Sequence, residues 1–309
     1  MLLLVRFTGE HINQWREDGF VLIPDFFEKD EISPILRDFD TLYRDRGRGD
    51  GTVLNVKKEG VIGASHAKQF LNFDALPYKA SSAINLISLH PALINFARGL
   101  LGADKVHLYQ SHTWAKYTGE ADYEQAFHCD FGNHTLTVPA DEVALRTVDF
   151  VIYLTDVTEE HGALHYVTKP DSDEILGPGA LAVPPELQQA MKERERSAAS
   201  PAGTLLAHGI DTFHRGTNLT AIHGHRFTMT VGYKTAGNDM IGFHTWQMAA
   251  DRPWHLIFNN ANADQLACLG VPLPGERFWT ERTLRLTQTR WPDWNMKEYF
   301  EAGQTRGLS

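Results

Sequence analysis

The tripeptide His128-Cys129-Asp130 constrains this chain more than any other stretch, because its two polar side chains can serve one metal ion. In an extended segment, residues i and i+2 point to the same side, so the His128 imidazole and the Asp130 carboxylate face one space. Cys129 then points away, and we assign it no role. One imidazole and one carboxylate leave a divalent ion short of ligands, so the fold must bring a further donor from elsewhere in the chain.

The best candidate for that donor is His214, in the stretch 207–218. Two histidines and one carboxylate on a rigid β scaffold form the facial triad of non-haem Fe(II) oxygenases, which leaves iron positions open for O2 and a co-substrate. His208, His223 and His225 lie close by in the sequence, and His208 is the next candidate if His214 does not serve. Because a short motif such as H-x-D also occurs by chance, the prediction depends on the order of all the ligands.

Arg226 opens the apolar run 226–233, twelve residues after His214. A planar guanidinium at the start of a core strand suits a bidentate contact with a carboxylate. The co-substrate 2-oxoglutarate offers such a carboxylate. A His-x-Asp pair, a long gap, a histidine and then a strand-borne arginine therefore predict an iron site with a dicarboxylate co-substrate.

Composition narrows the class of protein. With 309 residues, 42% hydrophobic and 22% charged, the chain suits one large all-β or α+β domain, or two smaller ones. A net charge of -10 argues against nucleic acid as a partner. Two cysteines are too few for a disulfide framework and indicate a reducing cytoplasm. The apolar runs are too short for a signal peptide or a membrane span, so we expect a soluble cytoplasmic protein without membrane association.

Apolar periodicity predicts a β-rich fold with supporting helices. The strand-like runs 203–206 and 226–234 flank His214. The runs 146–155 and 163–167 are expected to form a hairpin. The segment 170–185 has the composition of a Pro/Gly-rich loop. Helices are expected at 10–18, 32–43, 78–101 with a break at 90–91, and 186–197; strands are expected at 20–23, 105–117, 146–155, 163–167, 203–206 and 226–234.

This pattern indicates an α+β, mainly β fold: a double-stranded β-helix (jelly roll, cupin-like) core with supporting helices. Gln110, His112, Trp114 and Lys116 share one polar face of the long strand 105–117. That face is typical of the inside of a small barrel that holds a polar ligand, or of an edge strand with one wet face.

Two segments between the predicted elements are candidates for controlling access to such a barrel. The charged, glycine-rich stretch 44–51 is either a solvated connection or a substrate-access loop. Residues 168–200 combine proline, glycine and charge, and form either a lid over the barrel mouth or a plain surface excursion.

The sequence resembles the phytanoyl-CoA dioxygenase family of Fe(II)/2-oxoglutarate oxygenases. The resemblance covers roughly residues 12–235, and the block D-V-T-E-E-H-G-A-L is its most family-specific part because that block lies outside the iron motif. The matching stretches are 15–24 (W-R-E-D-G-F-V-L-I-P), 125–130, 156–164, 203–206, 214–218 and Arg226.

The resemblance implies roles one residue at a time. His128, Asp130 and His214 match the iron ligands. Arg226 matches the arginine that pairs with the distal carboxylate of 2-oxoglutarate, and Gln110 and Lys116 match strand positions that often line the co-substrate pocket.

Two positions depart from the family pattern. Val151 stands where many members have a tryptophan near the co-substrate, and Gly216 stands where many have a serine. Thr217 or Thr228 is expected to supply a hydroxyl instead.

The resemblance also implies the activity: Fe(II), 2-oxoglutarate and O2 would hydroxylate a small organic molecule, giving succinate and CO2. Asp130 indicates a hydroxylase and not the halogenase variants, but desaturation, epoxidation or ring rearrangement would need the same residues. The alternatives are a cupin-type isomerase or hydrolase with another metal, against which Arg226 argues, and a catalytically silent binding barrel, against which the intact ligands argue.

We expect a single oxygenase domain over 1–309, with its core at 12–235 and a C-terminal extension at 236–309 packed on that core. The substrate is expected to be a small metabolite or natural-product intermediate. A CoA thioester is disfavoured, because Lys57, Lys58 and Lys68 are the nearest approach to a basic cluster for its phosphates.

Overall fold

A computed structural model describes residues 6–43, 72–118, 124–135, 138–243 and 252–305, so the predicted loop 44–51 lies outside the described residues. The helices are α1 Gly9–Asp18, α2 Lys29–Tyr43, α3 Ser82–Ile87, α4 Pro91–Leu101, α5 Phe131–His134, α6 Lys169–Leu176, α7 Gln188–Glu193, α8 His255–Phe258, α9 Ala263–Ala267, α10 Glu281–Arg290 and α11 Lys297–Thr305. The strands are β1 Phe20–Ile23, β2 Phe73–Ala75, β3 Val106–Tyr117, β4 Thr147–Tyr153, β5 His165–Tyr166, β6 Arg196–Ser197, β7 Leu205–Gly209, β8 His214–Arg215 and β9 His225–Thr235.

Two antiparallel sheets form the core. The larger has six strands in the order β1-β7-β4-β9-β3-β2, and the smaller has three in the order β6-β5-β8. This mixed α/β architecture with mostly antiparallel sheet is a cupin-like jelly roll, as the strand pattern predicts. No helix in the described ranges is long and apolar enough to cross a membrane.

The central strand β4 shows why the barrel has a helix-covered outside and a distinct inside. All seven of its residues are buried, between β7 and β9. Because side chains alternate along a strand, Phe150 faces one way, toward Phe96 of α4 at a ring separation of 5.7 Å. Val151 and Tyr153 face the other way, into a separate apolar cluster on the inner side.

A glycine brings β1 alongside β7. Gly19 ends α1 in the left-handed conformation with φ 85°, and its N–H donates to Trp15 O at 2.9 Å. A Cβ at this position would lie 2.8 Å from Thr212 Oγ1. The tight turn requires glycine on both counts, and it carries the chain directly from helix to strand.

The prediction that 146–155 and 163–167 form a hairpin was wrong. β4 pairs with β7 and β9 in the larger sheet, whereas β5 pairs with β6 and β8 in the smaller one. The connection between β4 and β5 therefore crosses from one sheet to the other. Apolar runs separated by a turn predict strands, but they do not determine which strands become hydrogen-bonded neighbours.

The prediction of a loop over 170–185 was also wrong in part, because this segment contains most of α6. Thr168 caps this helix, its hydroxyl accepting from Asp171 N at 3.2 Å, and Pro170 lies in the first turn, where a missing N–H costs nothing. The charged helix expected at 186–197 is shorter than predicted. A 3₁₀ turn at Pro185–Leu187 leads into α7, and residues 196–197 are β6.

The C-terminal helices rest on the larger sheet. Trp254, Trp279 and Trp294 belong to the same buried apolar cluster as Val106 of β3 and Tyr233 of β9. The backbone joins them as well, since Leu108 N donates to Cys268 O at 2.7 Å.

Candidate metal centre and co-substrate cavity

His128, Asp130 and His214 converge, with one ligand atom of each within 4.8 Å of the other two. Asp130 lies between the two rings, 3.7 Å from His128 Nε2 and 3.5 Å from His214 Nε2. The backbone positions the pair of histidines. His128 N donates to His214 O at 3.0 Å and His214 N donates to His128 O at 2.9 Å, which makes an antiparallel bridge between them.

The orientation of both rings is set by backbone carbonyls. His128 Nδ1 lies 2.9 Å from Ala126 O, and His214 Nδ1 lies 3.1 Å from Thr212 O. A carbonyl can only accept, so each Nδ1 carries the hydrogen and each Nε2 presents its lone pair. This is the arrangement by which proteins orient metal-ligating histidines.

The charges of the three side chains suit a divalent cation. Burial alone would raise the pKa of Asp130, but the imidazoles of His214 and His128 lower it to about 2. Burial, followed by the neighbouring His214, lowers the pKa of His128. An ionised carboxylate and neutral imidazoles are the forms that bind metal, so these residues fit the ion. In the described ranges, no other group of three His, Cys, Asp or Glu side chains meets this spacing.

A cavity of about 110 Å³ opens beside the three ligands. Its walls come from several elements, with Trp114 and Lys116 on β3, Val151 and Tyr153 on β4, and Thr228 on β9. The polar face predicted for β3 therefore contributes to the inside of the barrel.

Two cationic side chains lie next to each other on this wall. Arg226 and Lys116 are directly opposite in the pairing of β9 with β3, and Arg226 is only 5% exposed. Burial, followed by the charge of Arg226, holds the pKa of Lys116 well below its usual range. Arg226 Nη1 also donates to Gly162 O, in the D-V-T-E-E-H-G-A-L block. A wall of this kind favours an anionic ligand.

The structure separates the other predicted co-substrate contacts. Thr228 lines the cavity. Thr217 is not in its lining, and its hydroxyl donates to Ala163 O at 2.7 Å. Gln110 is also outside the lining: its amide donates to Asp149 Oδ1 at 2.6 Å and to Tyr109 Oη at 3.0 Å. Six of the eight predicted site residues therefore line the cavity: His128, Asp130, His214, Arg226, Lys116 and Thr228.

The departure at Gly216 has a local explanation. Gly216 N donates to Gln125 Oε1 at 2.8 Å, and a Cβ at 216 would lie 2.7 Å from the same oxygen. A serine would displace Gln125, which itself lines the cavity. Glycine at position 216 therefore leaves room for Gln125, three residues before His128.

Sequence reasoning gave two cavity residues no role of their own. Tyr153 was treated only as part of an apolar strand, and His208 only as a reserve ligand. His208 lines the cavity, with its ring 5.0 Å from that of His214, but it is not in the ligand group. Strand alternation in β7, which puts Leu206 and His208 on one face, was the available signal.

The fold is shared with known proteins. The family model described as phytanoyl-CoA dioxygenase (PhyH) matches residues 15–223. The ectoine dioxygenase of Bordetella parapertussis (strain 12822 / ATCC BAA-587 / NCTC 13253) is 26% identical over 211 residues. That match covers 66% of this chain and 63% of the relative, so the chain spans under two thirds of the relative's length.

Solved structures of low sequence identity have the same fold. EctD from S. alaskensis with bound Fe is 17% identical with a TM-score of 0.56, over 83% of this chain and 85% of that one. The epimerase SnoN in complex with Fe3+, alpha ketoglutarate and nogalamycin RO is 18% identical with a TM-score of 0.55, over 74% of this chain and 83% of that one. Because the family model matches more than half of its residues, the chain belongs to the phytanoyl-CoA dioxygenase (PhyH) family.

Proposed function

We propose that this protein is an Fe(II)- and 2-oxoglutarate-dependent dioxygenase that hydroxylates a small organic molecule. The observation that supports this most directly is the convergence of His128, Asp130 and His214 in one cavity with the paired cations Arg226 and Lys116. When bound, iron and 2-oxoglutarate would supply the oxidation, with O2 as oxidant and succinate and CO2 as by-products.

The protein's own residues have separate tasks in this proposal. His128 and His214 would bind the metal through Nε2, and Asp130 through its carboxylate. Arg226 and Lys116 would hold the distal carboxylate of 2-oxoglutarate, for which a guanidinium offers a planar pair of donors. Thr228 would add a hydroxyl on the same strand as Arg226.

The remaining wall of the cavity would keep water away from the reacting centre. Val151, Val157 and Leu164 contribute apolar side chains to it. A dry wall strengthens the electrostatic contacts within the cavity and suppresses side reactions of a strong oxidant.

The substrate is proposed to be a small metabolite or natural-product intermediate. The known relatives and structural neighbours differ in the compounds named for them, ectoine in one case and nogalamycin RO in another. Because function resides in site details placed on a shared fold, neither compound transfers to this chain by similarity. Both belong in a panel of candidate substrates.

The function is tested by metal analysis, 2-oxoglutarate binding and a substrate panel read out as succinate formation, with product mass separating hydroxylation from desaturation. His128→Ala, Asp130→Ala and His214→Ala should each abolish Fe(II) binding or 2-oxoglutarate turnover. The exposed His223 provides a matched control, since His223→Ala should retain both. Full turnover in purified His214→Ala protein would contradict the ligand assignment. Metal-dependent isomerase or hydrolase activity without succinate would favour the cupin-type alternative.

A further inference from the structure

His208 is a buried imidazole inside the cavity with no assigned role. It is 3% exposed and lines the cavity from β7. Its ring is nearly parallel to that of the ligand His214, at an interplanar angle of 23°. The adjacent Ala207 belongs to the apolar cluster on the opposite, helix-covered face. Strand alternation therefore directs His208 toward the metal ligands.

The partner of His208 Nδ1 determines which nitrogen carries the hydrogen. Nδ1 lies 2.7 Å from the hydroxyl of Tyr166, and within the described residues this is the hydroxyl's hydrogen-bond partner. If Tyr166 donates to Nδ1, both atoms are satisfied. If Nδ1 donates instead, the buried phenolic hydrogen has no acceptor. The first arrangement is favoured, so Nε2 carries the ring hydrogen.

That Nε2–H is then a buried donor without an acceptor. No hydrogen-bond partner for it occurs in the part of the chain that the structure describes. Leaving a buried donor unmet is costly, and such groups in native structures usually mark the place of a ligand or water. Here the donor belongs to a cavity that also contains three metal-ligand side chains and two cations.

On the proposed function, one end of 2-oxoglutarate lies at Arg226 and Lys116 and the other end, with its keto group and carboxylate, chelates the metal. We infer that His208 donates from Nε2 to this metal-chelating carboxylate. Tyr166 is a positioning residue in this scheme, because its hydroxyl holds His208 in the required tautomer while its own ring lies against His214 at 5.3 Å. His208 would thus select for a 2-oxo acid at the metal, separately from the clamp on the distal carboxylate.

The test is calorimetric titration of 2-oxoglutarate into Mn(II)-loaded protein, which needs no turnover. His208→Leu removes the donor, whereas His208→Gln keeps an N–H near the position of Nε2. We expect His208→Leu to weaken 2-oxoglutarate about ten- to hundredfold, as for loss of a hydrogen bond to a charged group, and His208→Gln to recover most of the affinity. Tyr166→Phe keeps the ring contacts and should give a smaller loss than His208→Leu.

A second ligand shows which end of 2-oxoglutarate is involved. Levulinate keeps the keto group and the distal carboxylate but has a methyl group in place of the chelating carboxylate. His208→Leu should leave the affinity for levulinate, measured by competition, unchanged. Arg226→Ala should lower the affinity for both levulinate and 2-oxoglutarate.

Unchanged 2-oxoglutarate affinity in His208→Leu, an equal loss in His208→Leu and His208→Gln, or loss of Mn(II) from His208→Leu would each overturn the inference. The failure of the proposed function looks different, because wild-type protein would then bind neither the metal nor 2-oxoglutarate.

Discussion

At the scale of single residues, Arg226 and Lys116 show why the cavity favours an anionic ligand. The buried Arg226 and the half-buried Lys116 lie opposite each other on neighbouring strands, and the charge of Arg226 contributes to the lowered pKa of Lys116. A bound carboxylate would offset the repulsion between these two side chains. The pair is therefore suited to binding a carboxylate.

We predict that Arg226→Ala weakens 2-oxoglutarate about ten- to hundredfold, corresponding to roughly 1.5–3 kcal/mol for a charge-assisted contact, while the metal stays bound. Arg226→Lys should recover little, because an ammonium cannot reproduce the planar fork. Titration of 2-oxoglutarate into metal-loaded protein measures both. An unchanged affinity in Arg226→Ala would place the carboxylate clamp elsewhere.

A second residue-scale prediction concerns stability at Gly232. A Cβ at this position would lie 2.5 Å from Tyr109 Cε1 and 2.6 Å from both Asp149 Oδ1 and Gln110 Cγ. Those three side chains form a buried hydrogen-bonded group that has little room to move. Gly232→Ala should therefore lower the free energy of unfolding by about 1–3 kcal/mol in denaturant titration.

Gly9→Ala is the matched control, because a Cβ at Gly9 meets nothing within 4 Å and the position lies in α1. Its stability should equal or slightly exceed that of wild type, since alanine favours helix. Equal stability of Gly232→Ala and wild type would show that the buried group repacks freely.

At the scale of elements, α7 is hydrogen-bonded to the segment that carries His128 and Asp130. The Gln188 side chain accepts from Phe127 N at 2.8 Å and donates to Phe127 O and Val183 O, each at 3.3 Å. Met191 and Val183 are buried against Phe127 and Phe213. The segment 168–200 thus rests on the residues immediately before His128 and His214, and whether it opens as a lid stays a prediction.

Hydrogen exchange with and without metal, 2-oxoglutarate and substrate tests that prediction. Residues 168–200 should exchange faster than the strands in the free protein and gain protection in the complex. Gln188→Ala should speed exchange at 181–193 and at 126–130, whereas the exposed neighbour variant Gln189→Ala should not. Equal exchange of 168–200 in both ligand states would leave a plain surface excursion.

The smaller sheet depends on Glu195, which links β8 to β5. Its carboxylate accepts from Arg215 Nε at 2.7 Å and Nη2 at 2.9 Å, and lies 2.8 Å from His165 Nδ1. Burial alone would raise the pKa of Glu195, but the hydrogen bonds from Arg215 and His165 outweigh it. The pKa of this carboxyl group is therefore lowered from its usual value of 4.5. A carboxyl group with a lowered folded pKa stabilises the fold above its unfolded pKa, and this contribution is lost as pH falls through the folded value.

We therefore expect Glu195→Gln to lower the melting temperature by about 2–4 °C at pH 7, the shift that a loss of about 1 kcal/mol produces in a protein of this size. The difference from wild type should shrink below about pH 4.5, where the wild-type carboxylate takes up its proton. The exposed variant Glu193→Gln is the control and should show no such pH-dependent difference. A constant difference across pH would point to lost packing and not to the ion pair.

At the scale of the whole molecule, we propose one folding unit over the chain, because the C-terminal helices share their buried cluster with the larger sheet. Five of the seven tryptophans lie at 246–294, so tryptophan fluorescence reports mainly on the extension, while far-ultraviolet circular dichroism reports on the whole fold. The two probes should give coincident denaturant transitions. An earlier fluorescence transition would show that the extension unfolds separately.

The sequence by itself was enough to single out the candidate metal ligands, because their signals are local or follow from chain order. The two-residue period of an extended segment predicts that His128 and Asp130 face one space. In the structure they do converge, although Asp130 lies at the start of α5 with φ −89° and ψ −2°. The apolar runs at β3, β4 and β9 are equally local, as is the turn at Gly19. They were sufficient to predict the jelly roll and the strand that carries Arg226.

Tertiary structure alone decided which strands became neighbours and which polar side chains reached the cavity. β5 joins β6 and β8 instead of β4, because pairing depends on segments distant in sequence. Gln110 follows an irregularity in the register of β3 and donates to Asp149, a residue on a different strand. His208 acquires its place from Tyr166 and His214 in the same way. Sequence patterns carry the direction of a side chain along its own strand, but its partner is determined only when the sheets close.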